Sequence, residues 1–314
     1  MKKLLLASTA LMAFATAAAA ETGVKISGYG RFGLTYDEGR TTNETRVHTR
    51  LRFNIDAKTE TDSGVTFGGR IRIQHTNGDS VTTGGATPTT STAARLSPAL
   101  LYVSYEGLRV EVGNANTAFD SAALLYDSEL GLVDSSFGDS PSDYYSFSTG
   151  PYSQNRMGLY AAYNINGFSI KASYVTDDQT NSAAVNEETS IALSYENDMF
   201  VVSAAAANDG AGIAGNDPWF IGAAYKGLPN ATIGLNYMGE GVSEGDTITL
   251  YGNYTMDAWT FKAYIANNDA AGNLSDTAFG IGADYDLGGA KLTGGIQYGY
   301  KENTYADFGV RFDF

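Results

Sequence analysis

Residues 46–58 read RVHTRLRFNIDAK, a stretch in which two kinds of side chain alternate. The odd-numbered positions from Val47 to Ala57 hold five apolar side chains and one threonine, whereas the even-numbered positions from Arg46 to Lys58 are all polar or charged. Successive side chains of a strand point to opposite sides of a sheet. A period of two therefore indicates a β-strand with one apolar and one polar face.

The same alternation recurs along most of the chain and predicts sixteen strands. They cover residues 24–36, 47–57, 65–73, 101–105, 108–112, 157–165, 168–174, 191–195, 202–206, 219–225, 233–237, 248–256, 259–265, 279–287, 292–298 and 306–314. The connections alternate between short turns, such as residues 257–258, and long polar loops, such as residues 77–94. This alternation is typical of outer-membrane barrels.

The predicted fold class is therefore all-β: a 16-stranded antiparallel transmembrane β-barrel with short periplasmic turns, long external loops and a water-filled lumen. A soluble β-sandwich or β-helix would also alternate. Both are disfavoured because nearly every strand keeps its apolar face and because no fixed-period repeat is present.

Composition excludes several other classes of protein. The 314 residues include 35 acidic and 20 basic ones, with a formal net charge of −15, so no nucleic-acid partner is expected. There is no cysteine, which excludes disulfides and cysteine-ligated metals. Only two histidines are present, so a site with several histidine ligands is not expected.

The first 20 residues are predicted to be a cleaved secretory signal peptide. Lys2 and Lys3 precede an apolar run at residues 4–15, and alanines at residues 18–20 fit a cleavage site. A membrane anchor is the alternative, but the apolar run is too short to span a bilayer. Residues 21–314 are predicted to form a single outer-membrane barrel domain.

One connection, residues 113–155, is much longer than the others. Loops of this length inside compact domains usually have a function. It contains no lysine or arginine and could include a short helix at residues 118–125. Its acidic residues are Asp120, Asp127, Glu129, Asp134, Asp139 and Asp143.

The first three strands carry arginines only on their polar face. These are Arg31, Arg50, Arg52, Arg70 and Arg72. One arginine on the lipid face near the midplane costs about 2–4 kcal/mol, so all five are predicted to point into the lumen. If the acidic loop folds inward opposite this basic wall, the two form a charged pore constriction. The alternative is an exposed acidic flap, with the arginines paired to wall carboxylates such as Asp56.

The sequence contains only weak matches to the motifs of catalytic, cofactor-binding or metal-binding sites. Residues 28–33 and 210–215 match the dinucleotide pattern G-x-G-x-x-G, but neither match opens a helix. A serine hydrolase would need His48 or His75 beside a serine and an orienting group, and neither spacing suggests one. The chain is therefore not expected to be an enzyme or to require a cofactor. Acidic loops leave a structural Ca²⁺ as an open alternative to loops that are merely solvated.

Several motifs in this order are similar to those of one family. They are VKISGYGRFG at residues 24–33, TDSGVTFG at 61–68, GNA at 113–115, YDSELG at 126–131 and the tail GVRFDF at 309–314. The chain resembles, over residues 22–314, a Gram-negative general diffusion porin of the alpha-proteobacterial, Rhodobacter-like type. The loop around residues 135–149 is rich in Ser, Asp and Tyr and departs from the best-known members.

The resemblance implies a homotrimer in outer-membrane lipid and lipopolysaccharide, an inward-folded third loop, and passive diffusion of ions and small hydrophilic solutes. It also implies that terminal Phe314 is read by the barrel assembly machinery. Gly28, Gly30 and Gly69 have outward parity, where small residues leave room for a neighbouring wall.

The acidic surplus predicts weak cation selectivity, because it concentrates cations at the pore mouth. A substrate-selective channel and a plugged structural barrel remain alternatives.

Overall fold

The computed structural model describes residues 23–77, 80–81, 89–90, 94–139, 144–148, 156–176, 186–239, 241–242 and 245–314. Sixteen antiparallel strands form the barrel wall. They are β1 (Gly23–Asp37), β2 (Thr45–Glu60), β3 (Thr66–Thr76), β4 (Leu100–Tyr105), β5 (Leu108–Gly113), β6 (Gly158–Ile165), β7 (Phe168–Val175), β8 (Glu188–Glu196), β9 (Phe200–Asn208), β10 (Trp219–Leu228), β11 (Ala231–Gly239), β12 (Asp246–Met256), β13 (Trp259–Asn268), β14 (Thr277–Asp286), β15 (Ala290–Tyr298) and β16 (Thr304–Asp313).

The barrel closes where the last strand meets the first. β16 pairs antiparallel with β1 from Tyr29 opposite Asp313 to Asp37 opposite Tyr305. Backbone hydrogen bonds between Gly28 and Phe314, of 2.8 and 3.0 Å, extend this pairing to the last residue. The predicted 16-stranded antiparallel barrel is therefore confirmed, and each predicted strand overlaps an observed one.

A few short elements were not predicted. In the connection between β3 and β4, Ser80–Val81 pairs with Thr89–Thr90, and Arg95–Leu96 pairs with Ile73 and Gln74 near the end of β3. Gly210–Gly212 forms a single 3₁₀ turn. Within the described ranges, no helix is long and apolar enough to cross a membrane. The predicted signal peptide lies outside the described residues.

The two faces of the wall differ in the way the alternation predicts. Many large apolar side chains on the outer face are exposed, for example Val24 at 69% and Ile281 at 60%. On the other face of the same strands, side chains such as Arg31, Asn236 and Thr249 are buried inside the barrel. Because an exposed apolar belt this large would be unfavourable in water, the outer face is suited to lipid.

Aromatic side chains cluster at both ends of the strands. At the short-turn end, ring centroids lie 4.6 Å apart for Phe168 and Tyr195 and 4.7 Å apart for Trp259 and Tyr285. At the long-loop end, Trp219 and Tyr237 lie 5.0 Å apart. Such girdles mark the two interfaces of a bilayer.

The three outward glycines are covered by side chains of their own chain. A Cβ built on Gly28 would lie 2.9 Å from the Phe314 ring, and one on Gly69 would lie 3.0 Å from Leu101. The ring of Phe312 covers Gly30. Side chains of the same chain therefore occupy the space beside these glycines, and the close approach of another wall at this surface stays a prediction.

A different pair of glycines makes the closing seam possible. Gly33 of β1 lies directly opposite Gly309 of β16, and both face inward. A Cβ on either glycine would collide with the backbone of the opposite strand, and one on Gly33 would lie 2.7 Å from Leu132 of the long loop. The absence of side chains lets the seam and the loop pack closely.

Gly309→Ala is expected to destabilise the barrel by about 1–3 kcal/mol, the usual cost of overpacking a tight site. The measurement is the temperature at which the barrel loses its compact, detergent-resistant electrophoretic mobility. Gly23→Ala is the matched control, since nothing lies within 4 Å of a Cβ built there. Equal transition temperatures for the two variants would contradict this account of the seam.

Candidate functional site: the lumen and its long loop

The long connection between β5 and β6 runs inside the barrel. Its first part is fixed to β7 and β8, where the backbone N–H of Ala118 donates to Ser173 Oγ at 2.9 Å and that of Phe119 donates to Ser190 Oγ at 3.1 Å. Asn236 of β11 then donates through Nδ2 to the carbonyl of Leu124 at 2.7 Å. The predicted inward-folded third loop is therefore confirmed.

The loop continues to the strands on the far side of the lumen. The Asp307 carboxylate of β16 accepts the backbone N–H groups of Leu132 and Val133 at 2.8 and 3.0 Å. Thr249 Oγ1 of β12 donates to the carbonyl of Gly138 at 2.9 Å. Side chains from the wall thus satisfy backbone groups in the described part of the loop, where no regular strand forms.

Apolar side chains pack the same loop against the wall. Phe119, Leu125 and Leu132 are fully buried, and the first two belong to a cluster with Phe220 and several wall alanines. The predicted helix at residues 118–125 does not form. Turns occupy the segment instead, and Leu124 adopts a left-handed conformation with φ of 68° that a continuous helix excludes.

The five arginines of the predicted basic wall lie on neighbouring strands of the inner face. Arg31 is directly opposite both Arg50 of β2 and Arg311 of β16, which makes a row of three guanidinium groups. Arg52 follows in the next inward position of β2, and Arg70 and Arg72 lie on β3. The pairing register of β16, β1, β2 and β3 therefore gathers these charges on one side of the lumen.

Four of these arginines donate through Nε to the residue directly opposite. Arg50 donates to Thr76 Oγ1 at 3.0 Å, and Arg52 donates to Gln74 Oε1 at 2.6 Å. Arg72 bonds to Asn54 Oδ1 at 3.1 Å in the same way. Among the described residues, Arg70 alone of the four has a carboxylate partner, Asp56, at 2.7 Å. Each side chain thus lies across its strand pair in a fixed position.

One loop carboxylate, that of Asp134, forms ion pairs with arginines of the barrel wall. Asp134 Oδ2 accepts from Arg31 Nη1 at 3.3 Å and also pairs with Arg311 Nη1. Arg31 additionally donates to the carbonyl of Leu132 at 3.1 Å. Because Arg31 is 4% exposed, this contact lies at the buried junction of loop and wall.

The other acidic loop residues are placed differently. Asp120 accepts from the Tyr126 hydroxyl at 2.5 Å inside the loop. Asp127 and Glu129 are close enough to Lys262 of β13 to interact with its charge, and Glu129 also interacts with the charge of Arg311 on β16. Asp139 lines a small cavity with Asn268 and other residues. Asp143 lies outside the described residues.

Burial changes the protonation of these loop carboxyls. It raises the pKa of Asp127 to about 6, although the Lys262 ammonium opposes the shift. It raises the pKa of Asp139 to about 7. For Glu129, burial and then the charges of Asp139 and Asp134 raise the pKa to about 9. Burial also raises the pKa of Asp120. Part of the acidic loop is therefore neutral at pH 7.

The sequence reading missed several residues of this site. Arg311 and Asp307 have inward parity in the last strand, so the argument used for the first three strands would have found them. Tyr29 was also overlooked, although its ring lies between the guanidinium groups of Arg52 and Arg311, with centroid distances of 5.1 and 4.9 Å.

A second polar junction fixes the outer end of the loop. Glu188 is fully buried, and its Oε2 accepts the backbone N–H groups of Tyr145 and Ala211, each at 2.7 Å. Arg156 donates to the carbonyls of Thr176, Ala211 and Asn186. These contacts join the third loop to the connection between β7 and β8 and to the connection between β9 and β10. Nothing in their sequence spacing indicates that they meet.

No three His, Cys, Asp or Glu side chains among the described residues are close enough together to hold a metal ion. The Ca²⁺ alternative for the acidic loops stays a prediction.

A closed barrel with an apolar exterior, a polar lumen and a loop folded into that lumen defines a transmembrane β-barrel channel. A protein-family model described as Gram-negative porin matches residues 7–306 of the chain. The chain belongs to this Gram-negative porin family. It is a channel of the outer membrane and not an enzyme.

Individual relatives agree with this assignment. The chain is 45% identical over 303 residues to a protein named porin from Fuscovulum blasticum. This alignment covers 93% of this chain and 100% of the relative. It is also similar to solved structures of two engineered mutants of Rh. blastica porin. These are 42% and 43% identical, with TM-scores of 0.85 and 0.86, and each comparison covers 93% of this chain and 100% of the other.

Cation selectivity is expected to increase as the pH rises from about 5 to 10. The carboxyls of Asp127, Glu129 and Asp139 are each neutral below their raised pKa and negative above it, so higher pH adds negative charge to the lumen. In Glu129→Gln the increase above about pH 8 should disappear, because Glu129 has a pKa of about 9. The measurement is the zero-current potential under a KCl gradient at each pH.

Glu302→Gln, which removes an exposed carboxylate of the last external loop, should keep the wild-type profile. If Glu129→Gln and the wild type had the same profile up to pH 10, Glu129 would not titrate in this range.

Proposed function

We propose that the protein is a general diffusion pore for ions and small hydrophilic solutes, with a constriction between the third loop and the basic wall. One observation carries this proposal. Asp134 contacts both Arg31 and Arg311, so loop and wall meet at a point where both signs of charge are present. Charged side chains at the waist of a pore act on ions that pass close to them.

Weak cation selectivity is the second part of the proposal. The net charge of −15 creates a negative potential that concentrates cations at the pore mouth. At the waist, the arginines oppose this potential, while the raised pKa of Glu129 leaves part of the loop uncharged at pH 7. The two contributions offset one another, so neither ion is excluded, and selectivity decreases at high salt because charges are screened.

Replacing Arg50 and Arg52 together by alanine should increase the preference for cations, since two positive charges leave the lumen. In a tenfold KCl gradient an ideally selective pore gives about 59 mV, and we expect the double variant to move about 5–20 mV toward the cation limit. The zero-current potential of the reconstituted channel at low salt measures the change.

Arg40→Ala is the control, because Arg40 pairs with Asp37 in the first external loop and not in the lumen. An unchanged potential in the double variant would remove Arg50 and Arg52 from the constriction. A clear anion preference of the wild type at low salt would contradict weak cation selectivity.

The family supports an oligomeric channel, and we propose that the oligomer is a homotrimer in lipopolysaccharide-containing outer membrane. Cleavage of residues 1–20 and recognition of Phe314 by the barrel assembly machinery complete the proposal. Phe314 supports this role because its ring is 49% exposed at the outer face while its backbone completes the β1 pairing.

Light scattering of the native protein, corrected for bound detergent, should give the mass of three chains. The heat-denatured sample should give one chain and serves as the control. A native mass of one or two chains would contradict the homotrimer.

A further inference from the structure

Three arginines of the basic wall differ from their neighbours in what they contact. Arg50, Arg52 and Arg72 donate through Nε to a threonine, a glutamine and an asparagine, all of them neutral. Among the described residues, no carboxylate oxygen lies within 4.0 Å of their guanidinium nitrogens. Within the part of the chain that the structure describes, their positive charges are therefore held in place without an anionic partner.

The neighbouring arginines provide the contrast. Arg70 is one inward position from Arg72 on β3, and Asp56 neutralises it at 2.7 Å. Arg31 and Arg311 share Asp134. Because one carboxylate neutralises only one of those two charges, one positive charge remains there, and most of the uncompensated charge on the described wall lies on the three arginines that follow one another across β2 and β3.

The three guanidinium groups are close enough to act together. Arg50 and Arg52 are successive inward residues of β2. Arg52 lies opposite Gln74, so Arg72, two residues earlier on β3, is its diagonal neighbour. Diagonal neighbours in an antiparallel pair are about 7–8 Å apart, within reach of long side chains.

Aromatic groups restrict the orientation of this array. The Arg72 guanidinium lies 3.8 Å from the centroid of the Phe147 ring in the third loop. Arg52 lies over the Tyr29 ring, and Arg50 Nη1 donates to the Tyr29 hydroxyl at 3.3 Å. All three arginines are partly exposed to the lumen. Since a guanidinium has five N–H donors and these contacts use one or two, most donors remain available.

We propose that Arg50, Arg52 and Arg72 form a binding subsite for a divalent tetrahedral oxyanion, such as hydrogen phosphate or the phosphate group of a phosphomonoester. The planar guanidinium fork matches two oxygens of such an anion, and each bond is charge-assisted. Chloride carries one charge and offers no such pair of oxygens. The inference rests on the proposed open lumen, because the anion must reach the three arginines. It adds a saturable anion-binding site to a pore that is otherwise only weakly selective between ions.

The test is the KCl current through reconstituted channels at pH 8 and constant ionic strength while potassium phosphate is added. We expect a saturable decrease of the current, because bound phosphate occupies the array and delays the passage of chloride. Glucose 6-phosphate should act in the same way, since it offers the same divalent group. Potassium nitrate, a monovalent oxyanion salt, should have no saturable effect.

Arg52→Gln should raise the phosphate concentration for half of the effect about tenfold, the usual value of one charge-assisted contact. Arg70→Gln is the matched control: it removes an arginine from the same wall, but one already paired with Asp56, and it should leave that concentration within about twofold of the wild type. Arg52→Lys keeps the charge without the fork and should fall between the two. Retained detergent-resistant mobility shows that each variant has folded.

The outcomes separate this inference from the proposed function. A channel that conducts KCl but shows no saturable response to phosphate overturns the subsite and leaves the diffusion pore intact. The subsite is also overturned if Arg70→Gln raises the phosphate concentration for half of the effect as much as Arg52→Gln does, or if nitrate lowers the current as phosphate does. In either case the general positive charge of the lumen would be sufficient to explain the decrease in current. A folded wild type without conductance would instead overturn the proposed open pore.

Discussion

The structure depends on one constraint: a backbone N–H or C=O group within a bilayer has no water to bond with, so a sheet that crosses the bilayer must close on itself. Here the closure is the pairing of β16 with β1, which continues to the final residue. Gly33 and Gly309 let the two backbones approach at this seam, and Leu132 of the third loop packs over them. The closing contact of the barrel and the position of the loop are thus parts of one packing arrangement.

The same requirement acts on the loop inside the barrel. Its turns leave many backbone groups without partners in a regular ladder, and a buried unpaired group is costly. Wall side chains from several strands supply those partners, including Ser173, Ser190, Asp307 and Glu188. A rigid wall therefore holds a long irregular segment in one place, which a pore constriction requires.

Register and burial together give the lumen its charge pattern. Antiparallel pairing places arginines of four strands side by side, and Asp134 and Asp56 neutralise only some of them. In the third loop, burial holds some carboxyls in their neutral form, so formal charge overstates the negative charge of the loop. The field that a passing ion meets is set by which groups are paired and which are protonated.

The sequence by itself determined the barrel, the number of strands and the side of the wall on which each arginine lies. These follow from a period of two, because alternate residues of a strand face opposite sides of the wall. A charged side chain facing lipid is too costly, so the arginines must lie on the side that faces the lumen. Only the tertiary structure decided the pairs. Asp134 and Arg311 are 177 residues apart in sequence, and the partner of each loop carboxyl depends on how an aperiodic segment folds against the closed wall. Local periodicity carries no information about such contacts, so the sequence could not show that Asp120 bonds to Tyr126 while Asp134 bonds to the arginines, or that Phe312 covers Gly30.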